Sequence, residues 1–86
     1  MNKATRKVLS GLMADAEKIT SMIEDLKSQL ETIRDEEQGK FDNMPEGLQE
    51  GDKGEAMTSA IEAIEAAIEK CDGFDDIASD LDNAMA

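Results

Sequence analysis

"VLSGLMADAEKITSMIEDLKSQLETI", residues 8–33, decides the fold. Its apolar side chains fall at Leu9, Leu12, Ala16, Ile19, Ile23, Leu26, Leu30 and Ile33, at spacings that alternate between three and four residues. Such alternation winds one apolar seam down an α-helix, with Leu9, Ala16, Ile23 and Leu30 at heptad position a and Leu12, Ile19, Leu26 and Ile33 at d. The seam runs about 36 Å along the helix axis. Val8 and Met22 fall at g and Met13 at e, where a simple two-stranded coiled coil more often places charges. The apolar face is therefore wider than a zipper needs, and it predicts packing against more than one neighbouring helix. A stripe of Leu, Ile and Met serves as packing surface far more often than as a ligand box.

The next a position is Glu37, where the seam is expected to stop, and the helix either frays at Gly39 or continues past Phe41 to Asp42. Met44 precedes Pro45, which pushes it toward an extended backbone and ends the helix near Asn43. "PEGL", residues 45–48, reads as a tight turn in which Pro45 fixes one backbone angle and Gly47 permits a left-handed one. Asp52 and Glu55 have the spacing of a capping box at the start of the next helix. There Met57, Ile61, Ile64, Ile68 and Cys71 form a second seam, flanked by Ala56, Ala60, Ala63, Ala66 and Ala67, which let a neighbour approach closely. The pattern slips at Gly73, predicting a kink or break, and resumes at Phe74, Ile77 and Leu81.

The expected fold is all-α: an antiparallel helical hairpin with a short C-terminal helix or kinked extension. Helix 1 spans about residues 3–42, the connection about 43–52, helix 2 about 53–72 and the short helix about 74–83, with the last three residues disordered. No alternating run of β-branched and aromatic residues argues for a strand. Two helices alone are marginal, because ordering costs roughly 1.5 kcal/mol per residue against roughly 25 cal/mol per Å² of apolar burial. Self-association into a dimeric helical bundle is the expected remedy, and a third helix folding back from Phe74 to Leu81 is the alternative.

Composition narrows the function classes. The 86 residues carry a net charge of -12, unevenly placed: residues 1–30 hold five basic and four acidic side chains, residues 31–86 four and seventeen. Direct nucleic-acid binding is disfavoured over most of such a surface, and Lys3, Arg6 and Lys7 read as solvated charges. No span approaches the roughly 20 apolar residues of a membrane helix, nothing reads as a signal peptide, and the lone Cys71 agrees with a reducing compartment, so an intracellular, cytoplasmic location is expected. The absence of His removes a Cys-His nucleophile and the imidazole-containing zinc sets. Cys71 falls in the second seam, as a buried small hydrophobe would. The acidic run Asp72, Asp75, Asp76, Asp80 and Asp82 lacks the ligand order of a calcium loop. No catalytic residue, metal site or cofactor is expected.

Residues 33–69 contain Arg34, Asp35, Glu36, Glu37, Gln38, Phe41, Asn43, Met44, Pro45, Glu46, Leu48, Gln49, Gly54, Glu55 and Ala56, ahead of an Ile- and Ala-rich helix. This segment resembles one found in small bacteriophage and prophage proteins of unassigned function. It departs from that pattern at Gly39, where a helix-compatible Glu would stand, and at Gly73, where the helix would continue. The resemblance implies a phage origin, with the bacterial host cell as the place of action, and a helical shape, and it supplies no catalytic residue.

Two candidate surfaces follow. The turn has two competing readings: Phe41, Met44 and Leu48 close the open end of the core while Pro45 and Gly47 set the turn, the commoner case, or Arg34, Glu36, Glu37, Gln38, Asn43, Glu46 and Gln49 form a polar recognition tip for a host or phage protein. Glu62, Glu65, Glu69, Asp72 and Asp76 recur on one side of helix 2, and their carboxylates would follow one another roughly 5 Å apart along the axis. Such a stripe fits an inhibitor that imitates nucleic acid before a host defence or DNA-binding protein. The leading expectation is a non-enzymatic phage accessory protein acting through protein-protein contact.

Overall fold

A computed structural model describes residues 1–74 and 76–86. Helix α1 spans Lys3–Asp42, α2 is one turn at Glu46–Gln49, α3 spans Asp52–Cys71, a 3-10 turn covers Asp72–Phe74, and α4 spans Asp76–Met85. Both α3 and α4 pack along α1. The molecule is an antiparallel helical hairpin whose second arm is jointed.

Its shape follows from α1. Forty helical residues rise about 60 Å at 1.5 Å each, and the Cα envelope measures 66 × 15 × 14 Å, only two helices across. The radius of gyration is 19.9 Å, against about 12 Å for a compact chain of this length. The segment after Phe74 thus continues the second arm and does not fold back as a third helix.

Helix α1 begins where the Asn2 side chain accepts a hydrogen bond from the Thr5 N–H at 2.8 Å. It runs through Gly39, whose missing side chain faces open space. It ends at Asn43, whose N–H reaches back to the Gly39 carbonyl at 3.1 Å, just before the restricted Met44-Pro45 step.

The connection corrects two expectations. No described glycine adopts a positive φ, so Gly47 is not a left-handed turn residue. Instead the Pro45 carbonyl accepts from the N–H groups of Leu48 at 2.9 Å and Gln49 at 3.1 Å, and the chain reverses through one helical turn. Asp52 and Glu55 do not form a capping box: Gly51 occupies the N-cap and no side chain caps α3. Their carboxylates lie in the first turn, where they favour the positive end of the helix dipole. Gly54 explains the arrangement. A Cβ there would lie 2.5 Å from the carbonyl carbon and 2.7 Å from the Cα of Gln49, so α3 can start against α2 only with a glycine at that position.

The seam of α1 is also displaced from its expected axis. Leu9, Ala16, Ile23 and Leu30 turn inward with Met13, Thr20, Lys27, Arg34 and Phe41, the e row, while Leu12, Ile19, Leu26 and Ile33 stay exposed. The inward face does not stop at Glu37, which is half-buried, but continues to Phe41. Polar members of the e row have partners across the hairpin: the Thr20 hydroxyl donates to the Phe74 carbonyl at 3.3 Å, and the Lys27 ammonium pairs with Asp72. These two bonds fasten the 3-10 joint to α1. Beyond it, Ala78, Leu81 and Met85 are half-buried while Ile77 is exposed. The helix reaches Met85, so Ala84 and Met85 are helical and only Ala86 lies beyond it.

Candidate functional site

Within one chain the core is thin. Ala16, Ile61, Ile68 and Cys71 are the buried apolar residues among those described, and no large side chain is completely sealed. The accessible surface is 6276 Å², whereas a compact monomer of this mass exposes about 5,000 Å².

Much of that excess is concentrated on one side of the rod. Leu12 is 49% exposed, Ile19 49%, Leu26 51% and Ile33 45%, and beside them Val8 is 62% and Met22 72% exposed. These six share the d and g rows of α1, a band about 38 Å long at the helical rise, in which the g row also carries the exposed Asp15 and Gln29. Half-exposed side chains of this size leave on the order of 100 Å² each, so the band offers roughly 600 Å², the upper end for a single apolar patch on a monomer. Across the hairpin, Ile23 and Leu26 line an apolar groove with Ala67, Lys70, Cys71 and Phe74. The band therefore extends onto α3, where Ala60 and Ala63 continue the row of Ala67.

The opposite side is acidic. Arg34 sits in a shallow depression with Glu62, Glu65 and Glu69, and Gln38 faces Thr58, Glu62 and Glu65 in the next. Glu17, Glu24 and Glu31 precede Gln38 in the same heptad row of α1. The hairpin is thus a slab with an apolar face and an acidic face.

Of the expected acidic stripe, Glu62, Glu65 and Glu69 are aligned and exposed on α3. Asp72 lies in the 3-10 turn beside Lys27, and Asp76 starts α4, so the stripe is interrupted at the joint. Asp75 lies outside the described residues. Cys71 is buried, and its thiol donates to the Ala67 carbonyl at 3.4 Å.

The expected recognition tip is divided. Asn43, Glu46 and Gln49 lie at the hairpin end, whereas Arg34, Glu36, Glu37 and Gln38 lie back along the shaft of α1. Several already bond within the chain: Arg34 Nε donates to Asp35 at 3.2 Å, and Gln38 donates to Asp42 at 2.9 Å. Glu37 accepts from Lys40 at 3.0 Å, and that bond raises the lysine above its ordinary pKa. Gln49 is a structural residue, because its amide donates to the Phe41 carbonyl at 2.8 Å and satisfies the end of α1. Phe41 and Met44 are half-buried beside it, while Leu48 is 53% exposed.

Among the described residues, no group of three or more Cys, Asp or Glu side chains is placed to hold a metal ion. No helix of the described residues is long and apolar enough to cross a membrane. No family model matches the chain. No curated protein and no solved structure matches it closely enough to lend it a family or a function.

Proposed function

We propose that this protein is a non-enzymatic bacteriophage accessory protein that acts in the host cytoplasm through protein-protein contact. The observation that carries the reading is the apolar band of Val8, Leu12, Ile19, Met22, Leu26 and Ile33, left open by the hairpin. A helix row of this kind is a docking surface for other helices. Phage origin rests on the resemblance of residues 33–69. The test is affinity capture from bacterial lysate with the wild-type chain and a Leu12→Ser/Ile33→Ser variant. A set of protein partners lost only in the variant is expected; partners retained equally by both would remove the band from the function.

A second reading has its own observation, the face that carries Glu62, Glu65 and Glu69 beside the row of Glu17, Glu24 and Glu31. Acid aligned along a rod is suited to a basic groove that ordinarily takes duplex DNA. If captured proteins bind DNA and are displaced by duplex and by salt, this mimicry is the activity. Capture that is indifferent to DNA contradicts it.

A further inference from the structure

We propose that the occupant of the apolar band is a second copy of this chain, seated antiparallel about a two-fold axis beside Met22, to give a four-helix sandwich with both acidic faces outward. The inference rests on reading the band as a docking surface and names its partner.

Self-complementarity is the first reason. Leu12, Ile19, Leu26 and Ile33 recur every seven residues. An axis beside Met22 therefore sets Leu12 against Ile33 of the other copy and Ile19 against Leu26, and brings the two Met22 side chains together. Both sides of a two-fold interface use the same patch, as this pairing does. Area is the second reason. Two bands bury roughly 1,200 Å² in all, the lower limit of a standard stable interface, before Phe74 and the alanine row of α3 are added.

Charge along the border of the band agrees with this orientation. In the row that borders the band, Lys18 and Asp25 are also seven residues apart. The same axis lays Lys18 of each copy beside Asp25 of the other. Glu17, Glu24, Glu31, Glu62, Glu65 and Glu69 remain on the outer faces, where water screens them.

The test joins light scattering on a sizing column with cysteine trapping. At tens of micromolar the wild-type chain is expected at twice its monomer mass. Met22→Cys should form a disulfide-linked dimer under mild oxidant, while Glu24→Cys, on the acidic face, should stay monomeric on denaturing gels. The wild-type chain, with Cys71 buried, serves as the background. A monomeric mass with full helicity by circular dichroism would overturn the proposal, as would a dimer trapped through Glu24→Cys and not Met22→Cys, or a stable species of more than two chains. A monomer whose lysate partners still depend on Leu12 and Ile33 would overturn the second copy alone, whereas loss of that dependence would remove the docking reading itself.

Discussion

Gly54→Ala sets two physical effects of opposite sign against each other. In an exposed helix interior, replacing Gly by Ala stabilises by about 1 kcal/mol. At residue 54, however, the new methyl would sit 2.5 Å from the Gln49 carbonyl carbon and 2.7 Å from its Cα, and closer still to its carbonyl oxygen. Those atoms are main chain, so the whole turn of α2 must move. Overpacking of this kind costs about 1–3 kcal/mol. Displacing Gln49 also breaks its 2.8 Å bond to the Phe41 carbonyl, a further loss of about 1 kcal/mol. The clash wins, with net destabilisation of about 1–3 kcal/mol, or a fall in Tm of roughly 5–20 °C for a domain of this size. The control is Gly39→Ala, where the added methyl meets nothing within 4 Å; it should raise Tm by about 5 °C. Thermal melts followed by circular dichroism at one fixed protein concentration measure both. A Gly54→Ala variant as stable as Gly39→Ala would refute the packing of α3 against α2.

Further outcomes follow from the same contacts. Leu26→Asp should abolish association while keeping a helical spectrum, because Leu26 is 51% exposed in the single hairpin; complete unfolding would mean that the d row is intramolecular core. Thr20→Val removes the donor to the Phe74 carbonyl and should cost about 1 kcal/mol, with faster amide exchange confined to α4 as its signature. Uniform exchange across α1 and α4 would contradict that role for Thr20. Raising salt from about 20 to 300 mM should strengthen the dimer, since screening relieves repulsion between two chains of charge -12; weakening would mean that attractive ion pairs dominate the interface.

The fold class was legible because helical signals agreed along the chain. The alternating spacing of residues 9–33, the Met44-Pro45 step and the slip at Gly73 each mark a feature that the hairpin contains. The axis of the seam was not legible from hydrophobicity alone. The d row holds the larger apolar side chains, yet the second arm packs on the e row, where Thr20 and Lys27 find partners at Phe74 and Asp72. The one visible hint was the run Met13, Thr20, Lys27, Arg34 and Phe41, which keeps heptad spacing into the turn and past Glu37. Gly54 was hidden for a different reason. Its importance lies in a backbone approach between α2 and α3, and no local pattern encodes that approach. The candidate tip shows the same limit, since Gln49 reads as a polar surface residue until its bond to the Phe41 carbonyl is seen.

Methyl NMR with a soluble paramagnetic probe, across a protein dilution series, addresses the central claim most directly. Ile61 and Ile68 are buried within the hairpin and should be shielded at every concentration. Leu12, Ile19, Leu26 and Ile33 should be shielded together at high concentration and become accessible together on dilution. If the four stayed accessible at concentrations of hundreds of micromolar, or if Ile61 and Ile68 opened with them, the separation of a hairpin core from a docking row on α1 would be contradicted.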